Sequence, residues 1–325
     1  MDLSIIIVSY KGWYRLRKCL ESLSSFTGNQ FSSEVIVVDN NSGDATINEI
    51  ENSFPGFRFI HNKVNGGFAN GCNLGAKSAA GEFLLFLNPD TVASETETGK
   101  LLLAARSNPG YFIVSCRQVN DQGKESHSTG QFPNIWNLTG FQRTLLKLIK
   151  GRKREQNDNM VSFPDWTSGS VIMIKKEVFQ KINGFDEDFW MYFEDVDICR
   201  RVRNIGGKVA FFRDIVIEHN HGGSSRVNLK TSSLTKTEVL ISKHIYITKH
   251  KTGFSKFFIH SFLVINNLVS GLLQSIPGII LFFIPELFLR TLIFIRLTRY
   301  YSGVIFKLSW ISPRSVNFGK TEQIR

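Results

Sequence analysis

The stretch Phe83-Leu84-Leu85-Phe86-Leu87-Asn88-Pro89-Asp90 decides the fold of this chain. Its five consecutive apolar residues predict a strand that is buried on both faces of a sheet. The strand must end at Pro89, because proline cannot donate a hydrogen bond to a central ladder. Asp90 then lies at the carboxyl end of a central strand, which is where open α/β sheets bind ligands. A carboxylate at that place can hold a divalent cation that carries a phosphate.

Strands and helices alternate from the N-terminus up to this strand. Short apolar runs predict strands at 3–8, 34–38 and 57–61. Helical spacing of apolar residues, or a glycine-rich turn that opens a helix, predicts helices at 13–25, 46–52 and 72–80. This alternation is typical of a parallel, doubly wound α/β sheet. Because each strand ends in a cluster of small polar residues, we expect these clusters to line one edge of the sheet.

The chain beyond Asp90 continues with predicted helices at 93–106, 176–182 and 194–204 and predicted strands at 111–119, 171–174, 209–212 and 215–217. Glu194, Asp195 and Asp197 fall in the first turn of one of these helices, where the helix dipole stabilises negative charge. A single acid there is usually a capping residue, but several acids after an aromatic run indicate a function. His219 ends the last predicted strand, so it is a candidate metal ligand.

Charge is distributed very unevenly along the 325 residues, whose formal net charge is +11. Residues 1–225 contain 25 Lys and Arg against 25 Asp and Glu, whereas residues 226–325 contain 14 against 3. The whole excess therefore lies in the last hundred residues, interleaved with apolar stretches. This pattern suggests an anionic surface, either membrane or nucleic acid. No helix-turn-helix, RNA-recognition or zinc-finger pattern accompanies it, so we expect a membrane and no nucleic acid.

A run of 25 residues without formal charge, Ser261 to Pro285, lies in this basic segment. As one helix it would extend about 37 Å, which is enough to cross a bilayer. Polar residues and two prolines interrupt the run, and basic residues flank it on both sides. Three interpretations stay open: helices that lie on a membrane, a true span, or a soluble interaction surface.

Other features are less specific. Four scattered cysteines without a CxxC pair predict reduced core residues of a cytosolic protein. The N-terminal apolar run is too short for a signal peptide and lacks a basic region before it, so we expect none. The basic cluster Lys150 to Arg154 is a solvated loop or a contact for an anionic acceptor.

Six segments resemble, in order, the motifs of the inverting family 2 glycosyltransferases, and most of all the rhamnosyltransferase-like branch that builds bacterial surface polysaccharides. They are Ile5–Tyr10, Val37–Ser42, Asn65–Ala69, Leu87–Asp90, Thr167–Gly169 and Gly184–Asp197. The resemblance implies the GT-A fold, which is a mixed, largely parallel sheet flanked by helices, here with a helical C-terminal appendage. It also implies a nucleotide-sugar donor and Mg²⁺ or Mn²⁺. We expect a nucleotide-sugar-binding and catalytic domain at 1–225 and a basic, apolar, membrane-associating helical segment at 226–325.

The resemblance also implies roles for single residues. Asp90 resembles the metal ligand of the family's Asp-x-Asp site, Asp195 the catalytic base, and His219 a further metal ligand. The residues implied for donor binding are Ser9, Tyr10, Asp39, Asn41, Asn65, Gly67, Phe68, Asn73 and Asn88. Those implied for the acceptor are Trp166, Ser168, Gly169 and Glu194. Two departures from the pattern are Lys11, where asparagine is usual, and Asn88, which leaves one charge fewer on the metal.

The function implied is transfer of a sugar, with inversion, to a hydroxyl of a lipid-linked or cell-surface glycan at the cytoplasmic face of the cell membrane. Rhamnose from dTDP-rhamnose is the leading hypothesis for the donor. The alternative is a non-catalytic membrane scaffold that retains the fold. A nucleotidyltransferase is a third interpretation, but no basic, glycine-rich loop lies near the N-terminus. The sequence indicates neither the sugar and acceptor nor an oligomeric state.

Overall fold

A computed structural model of the chain describes residues 1–138, 160–220 and 228–319. The described residues divide into two compact units. The first, called the sheet unit here, comprises 1–132, 160–187 and 194–220. The second, called the helical unit, comprises 133–138, 188–193 and 228–319. The basic cluster at 150–154 lies outside the described residues.

The sheet unit is built from short strands and the helices between them. Its strands are β1 (Leu3–Ser9), β2 (Ser33–Asp39), β3 (Arg58–His61), β4 (Phe83–Leu87), β5 (Thr91–Val92), β6 (Tyr111–Val119), β7 (Thr129–Gly130), β8 (Val161–Ser162), β9 (Trp166–Thr167), β10 (Val171–Lys175) and β11 (Lys208–His219). Its helices are α1 (Trp13–Ser24), α2 (Thr46–Ser53), α3 (Gly67–Ser78), α4 (Glu95–Ser107), α6 (Lys176–Lys181) and α7 (Glu194–Asn204), while α5 (Ile135–Leu138) falls in the helical unit.

The main sheet is mixed, with strand order β3-β2-β1-β4-β10-β6-β11-β5, and β8 also pairs with β11. The four strands β3, β2, β1 and β4 are parallel. β10 runs antiparallel to both of its neighbours, β4 and β6, whereas β6 and β11 are parallel to each other. The predicted mixed sheet flanked by helices is therefore confirmed.

Both faces of the sheet are covered, because apolar residues occupy consecutive positions of the central strands, such as Ile5 to Val8 in β1 and all of β4. In β1, Ile5 and Ile7 belong to a core with the buried leucines of α1 and α4, while Ile6 and Val8 belong to a second core under α3 and α7. Side chains alternate between the two faces of a strand, so an unbroken apolar run needs helices on both sides. All four cysteines are buried thiols within these cores, as expected.

The carboxyl ends of the parallel strands meet at one edge, as the sequence predicts. The register pairs Ser9 with Asp39 and Asp39 with His61. β4 ends beside β1, and Leu87 pairs with Val171, the first residue of the antiparallel strand β10. The amino end of β10 therefore meets the carboxyl end of β4 at the same edge.

The prediction of two short strands at 209–212 and 215–217 was wrong. One strand, β11, runs from Lys208 to His219, with a shift in its pairing to β6 between Phe212 and Val216. A bulge bends a strand and leaves extra residues unpaired without ending it. The polar residues Arg213 and Asp214 lie where the pairing of β11 with β6 shifts. Their polarity is why the sequence there resembles a break between two strands.

The helical unit contains α8 (Leu229–His250), α9 (Gly253–Ile280) and α10 (Pro285–Lys307). The charge-free run at 261–285 is therefore not one helix. α9 ends before the run ends, and Pro285, the last residue of the run, begins α10 at a position that suits proline. α9 and α10 pack as an antiparallel pair, since Asn267 Nδ2 donates to Tyr301 Oη at 2.8 Å and Thr291 Oγ1 donates to the Ser275 carbonyl at 3.0 Å.

Large apolar side chains form an exposed stripe along α9. Among the described residues, α9 is the one helix that is long and apolar enough to cross a membrane, and 22% of its most apolar window is buried. The exposed members recur every three or four residues and are Phe254, Phe258, Phe262, Ile265, Val269, Leu272, Ile276 and Ile280. Ile259, Leu263 and Asn267 on the opposite side are buried. α9 is therefore amphipathic, with an exposed face that is apolar rather than charged.

Candidate functional site

The carboxyl ends of β1 and β2 form one wall of the candidate site. Ser9 ends β1, is buried, and accepts a hydrogen bond on its carbonyl oxygen from Asn40 N at 2.8 Å. Asp39 ends β2, and its carboxylate accepts from Ser42 Oγ at 2.5 Å and from Ser42 N at 3.3 Å. The turn that follows β2 therefore orients the side chain of Asp39, which is expected to contact the nucleoside.

Left-handed backbone conformations shape the turns after both strands. Lys11 has φ 58° and Asn41 has φ 59°. Lys11 N donates to Ser42 Oγ at 3.0 Å, which joins the two turns, and Tyr10 beside it is 39% exposed. Asparagine enters the left-handed region far more readily than lysine does. The residue usual in the family at position 11 therefore suits this backbone better than the lysine found here.

Asn40 ties the glycine turn to the end of β2. It is buried, and its Nδ2 donates to Asn65 Oδ1 at 3.1 Å and to the Gly67 carbonyl at 3.0 Å. Asn65 Oδ1 also accepts from Gly67 N at 3.3 Å, where Gly67 has φ 83°. Sequence reasoning selected the exposed Asn41 and missed Asn40, although both follow the same strand.

Asn73, predicted to bind the donor, holds the loop at 185–187. Its Nδ2 donates to the Phe185 carbonyl and to Glu187 Oε1, both at 2.8 Å, and its Oδ1 accepts from Phe185 N at 2.9 Å. Phe68, on the first turn of α3, packs edge-to-face on Phe185 with ring centroids 5.9 Å apart. Asn73 is a structural clamp in this arrangement, and its contact with a donor stays a prediction.

Asp90, Asn88 and His219 come together where β4 and β11 end. His219 Nε2 lies 3.1 Å from Asp90 Oδ1 and 3.4 Å from Asn88 Nδ2. His219 is 2% exposed and the side chain of Asp90 is 12% exposed. Asn220 N donates to the Asp90 carbonyl at 2.9 Å, which fixes the turn after Pro89 against β11. The structure thus brings together the two residues predicted as metal ligands.

Gln118, on β6, orients the imidazole of His219. Its Oε1 lies 2.9 Å from His219 Nδ1 and 2.6 Å from Ser170 Oγ, in a fully buried position. Nδ1–H donates to Gln118 Oε1 in this contact, which orients the ring so that Nε2 faces Asp90. Gln118 was missed because no local pattern marks it: it lies inside a strand, where an isolated glutamine carries no signal.

Asp195 begins the second half of the site, at the start of α7. Its Oδ2 accepts from Gly169 N at 3.0 Å and its Oδ1 accepts from Val196 N at 2.8 Å. Burial raises the pKa of Asp195, while these two N–H donors act in the opposite direction. A side chain on Gly169 would place its Cβ 3.4 Å from both Asp195 Cβ and Phe68 Cε1. Gly169 therefore packs closely against Asp195 and Phe68.

Glu194 differs from Asp195 although the two are adjacent. Its side chain is buried, and its Oε2 makes no hydrogen bond within the described part of the chain. Burial, with the neighbouring charge of Asp195, raises the pKa of Glu194 well above its usual range. Burial therefore favours the neutral form of Glu194, which makes it a poorer candidate for the base than Asp195, and its predicted contact with the acceptor stays a prediction.

Trp166 and Ser168 line the approach to Gly169. Trp166 Nε1 donates to the Gln131 carbonyl at 2.9 Å, and its ring covers Gly130, where a Cβ would lie 2.7 Å from the indole. Ser168 Oγ lies 2.9 Å from Ser170 Oγ. These contacts hold the segment 166–170 in place, and a role toward the acceptor stays a prediction.

One polar network connects the two acids of the site. Asp195 accepts from Gly169 N, and the neighbouring Ser170 accepts from Asn88 N on its carbonyl at 3.0 Å. Ser170 Oγ donates to Gln118 Oε1, which also contacts His219, and His219 contacts Asp90. Asp90 and Asp195 are therefore linked through one hydrogen-bond network, although the two side chains make no direct contact with each other.

A divalent cation fits this donor set only with help from a substrate. No group of three or more His, Cys, Asp and Glu side chains that could hold a metal occurs among the described residues. The available donors are one carboxylate, one imidazole nitrogen and the amide oxygen of Asn88. Mg²⁺ typically takes one or two carboxylates and completes its shell with water and substrate phosphates. Asp90 and His219 fit a cation that arrives with a diphosphate.

The mixed sheet, with polar residues at its carboxyl edge, defines a GT-A type α/β fold. Residues 4–199 match the family model described as glycosyl transferase family 2. The chain belongs to that family.

Relatives and solved structures agree with this membership. The rhamnosyltransferase WbbL of Escherichia coli K12 is 26% identical over 217 residues, which cover 64% of this chain and 79% of that protein. The N-acetylglucosaminyl-diphospho-decaprenol L-rhamnosyltransferase of Mycobacterium tuberculosis is 25% identical over 241 residues, which cover 69% and 77%. The crystallised mannosyltransferase PcManGT from Pyrobaculum calidifontis, in complex with GDP-Man and Mn²⁺, matches with a TM-score of 0.52 and 15% identity over 81% of this chain and 69% of that one.

Proposed function

We propose that this glycosyltransferase moves a sugar from a nucleotide-sugar donor to a hydroxyl of a lipid-linked or cell-surface glycan, with inversion, and that the sugar is rhamnose from dTDP-rhamnose. The observation that carries the proposal is the connected pair of acids, Asp90 at a strand end and Asp195 at a helix start. The names of two relatives, the rhamnosyltransferase WbbL and the N-acetylglucosaminyl-diphospho-decaprenol L-rhamnosyltransferase, support the sugar and the lipid-linked acceptor.

Inversion follows from a single displacement. The acceptor oxygen attacks the anomeric carbon from the face opposite the leaving nucleoside diphosphate, so no protein nucleophile is required. Asp195 takes the proton of the attacking hydroxyl, a role that typically contributes about 10²–10⁴-fold in rate. The N–H donors of Gly169 and Val196 hold its carboxylate in one orientation. The raised pKa of Asp195 makes it a better proton acceptor than an ordinary aspartate.

The leaving group needs compensation for the negative charge that it gains. Asp90 and His219 are the residues that would hold Mg²⁺ or Mn²⁺, and the ion would supply that compensation when bound. Gln118 keeps His219 in the tautomer that a metal ligand requires. Asp39, with the turn at Asn65 to Phe68, is proposed to bind the nucleoside and to position the donor.

A lipid-linked acceptor requires access to a membrane surface. The positive charge of residues 226–325 and the exposed apolar stripe of α9 support a place on the cytoplasmic face of the cell membrane, with α9 lying in the interface. We propose that transfer resides in residues 1–225 and membrane association in 226–325.

The test is a donor screen with purified full-length protein. dTDP-rhamnose, UDP-sugars and GDP-sugars are each incubated with Mn²⁺ and an N-acetylglucosaminyl-diphospho-prenol, and products are separated by mass. We expect transfer from dTDP-rhamnose, with the anomeric configuration inverted in the product by NMR. Transfer from another donor only would correct the sugar. No transfer and no donor hydrolysis from any nucleotide sugar would favour a non-catalytic scaffold.

A further inference from the structure

Arg15 lies beside Asp90 at the edge of the sheet, and no motif of the sequence marks it. Its Nη1 is 3.5 Å from Asp90 Oδ2, and the same nitrogen donates to the Asn220 carbonyl. The two residues are 75 positions apart and meet because α1 starts at the edge where β4 ends. A guanidinium thus stands against the one carboxylate that is available for a cation at this strand end.

The contacts of Arg15 leave most of its guanidinium open. Only Nη1 is engaged within the described residues, and the side chain is 35% exposed. A guanidinium carries five N–H donors in a planar fork, which matches the oxygens of a phosphate. The remaining N–H groups of the fork are therefore available to an incoming anion.

Charge makes the contact with Asp90 incompatible with a cation at the same carboxylate. Asn88 contributes no charge, so Arg15 already offsets the single negative charge of Asp90. A divalent ion on Asp90 would meet the guanidinium as a like charge at short range. A diphosphate removes this conflict, because its negative charges can bind the guanidinium and the ion at the same time.

We propose that Arg15 binds the diphosphate of the donor: it pairs with Asp90 in the free protein and exchanges that carboxylate for phosphate oxygens when the nucleotide arrives. The inference rests on the proposed function, because it assumes a nucleoside diphosphate donor. It adds an order of events, in which Asp90 becomes available to a cation only as the diphosphate engages Arg15. It also adds a second positive group that stabilises the leaving group beside the ion.

The experiment measures nucleotide and metal binding separately, without turnover. Isothermal titration calorimetry follows UDP, dTDP and GDP with excess EDTA in the full-length wild type and in Arg15→Gln, Arg15→Lys and Arg17→Gln. Arg17 is the matched control, because it loses the same charge from the same helix, and within the described part of the chain its one hydrogen bond is to Ser53 Oγ, at 3.4 Å. Mn²⁺ binding to each nucleotide-free protein is followed by electron paramagnetic resonance, and circular dichroism checks that each variant is folded.

We expect Arg15→Gln to weaken diphosphate binding in EDTA by about 10- to 100-fold, the range that hydrogen bonds to charged groups give. Arg15→Lys should recover part of this loss, because it keeps the charge but not the fork. Nucleotide-free Arg15→Gln should bind Mn²⁺ more tightly than the wild type, since the competing cation has gone. Arg17→Gln should match the wild type in both measurements.

Two results would overturn the inference. Equal diphosphate affinity in the wild type and Arg15→Gln would make Arg15 a structural partner of Asp90 only. Unchanged Mn²⁺ binding in Arg15→Gln would remove the proposed competition at Asp90. A wild type that binds no nucleoside diphosphate, even with Mn²⁺, would instead refute the proposed function, and the inference with it, so the two failures are distinguishable.

Discussion

At the scale of single residues, the adjacent acids Glu194 and Asp195 show how environment separates two similar groups. Asp195 receives two backbone N–H donors, whereas Oε2 of Glu194 has no partner among the described residues. Burial raises the pKa of both, and further for Glu194. The two N–H donors hold the Asp195 carboxylate in one orientation, whereas burial favours the neutral form of Glu194 more strongly.

Asp195→Asn should lower turnover by about 10²-fold or more, because it keeps the shape of the side chain and removes its basicity. Glu194→Gln should cost much less, because burial already favours the neutral form of Glu194 and the amide keeps its shape. In the wild type, turnover should fall as pH drops through the raised pKa of Asp195, so the acid limb lies above the range of an ordinary aspartate. Turnover and donor affinity in both variants across pH check this. If Glu194→Gln is inactive while Asp195→Asn remains active, the catalytic base is Glu194 and not Asp195.

Asp90→Ala should abolish transfer and leave the fold intact, because the side chain is partly exposed and lies after the end of β4, not inside it. Activity at saturating Mn²⁺ and the thermal unfolding midpoint are the two measurements. Near-normal activity with excess Mn²⁺ would refute the assignment of Asp90 to the metal.

At the scale of elements, the three long helices of the helical unit, α8, α9 and α10, share a buried polar cluster. His244 on α8 contacts His260 Nδ1 on α9 and Tyr301 Oη on α10, both at 2.9 Å. The Trp310 ring stacks on both imidazoles, with centroids 4.5 and 4.2 Å away. Burial lowers the pKa of His244 to about 3 and that of His260 to about 4. The cluster is therefore stable only when both imidazoles are neutral.

This cluster predicts that the helical unit loses stability below pH 6.5. Unfolding lets both histidines titrate at their usual pKa, so the unfolded state binds more protons between about pH 4 and 6.5. Glu238 acts in the opposite direction, because burial raises its pKa to about 7, and the folded state holds its proton. On unfolding, the two histidines together take up about two protons and Glu238 releases about one. The free energy of unfolding should therefore fall by roughly 1 kcal/mol per pH unit from pH 6.5 to 5.

Thermal unfolding at pH 7.5 and 5.5, followed by circular dichroism, measures this dependence. Glu238→Gln is the informative variant, because it removes the opposing group and should steepen the loss toward low pH. His260→Asn should make the loss shallower. An unfolding midpoint that is the same at both pH values in all three proteins would contradict the assignment of neutral imidazoles.

At the scale of the whole molecule, charge and exposed apolar surface concentrate in the same part of the chain. The lysines Lys249, Lys256 and Lys307 surround a cavity of about 340 Å³ in the helical unit, close to where the exposed stripe of α9 begins. Basic residues beside an apolar face are typical of helices that lie in the surface of an anionic membrane.

Residues 188–193, which precede the acids of α7 in the chain, also belong to the helical unit. Asp188 Oδ2 lies 2.5 Å from Lys249 Nζ, and Ser242 Oγ donates to the Met191 carbonyl at 2.9 Å.

Ile265→Asp combined with Leu272→Asp should abolish sedimentation of the protein with anionic vesicles. These side chains are 62% and 53% exposed on the stripe, so the charges enter the apolar face without disturbing a core. Leu103→Asp is the control, because Leu103 is 65% exposed on α4 of the sheet unit. Vesicles of phosphatidylglycerol and of phosphatidylcholine are compared at low and high salt. Undiminished sedimentation of the double variant would place the anchor elsewhere.

Local sequence patterns were enough to predict the order of strands and helices and the polar residues at the strand ends. An apolar run of five residues indicates a strand that is buried on both faces, and a polar cluster after it indicates the edge of a sheet. For that reason Asp90 and His219 could be selected from the pattern, whereas the roles of Asp39 and Asn88 were implied by the resemblance to the family. The merging of two predicted strands into β11, and the break between α9 and α10, escaped the same reasoning because bulges and helix ends leave weak local signals.

The distant residues that support those side chains became identifiable from the folded structure. Gln118 reaches His219 across 101 positions, Arg15 reaches Asp90 across 75, and Gly169 reaches Asp195 across 26. Periodicity reports which face of an element is buried, but not which partner lies on that face. The pairing of β10 antiparallel to β4, which brings Gly169 and Ser170 to the edge where Asp90 lies, depends on how the whole sheet packs. Long-range contacts of this kind follow from the packing of the folded chain, so no single stretch of sequence encodes them.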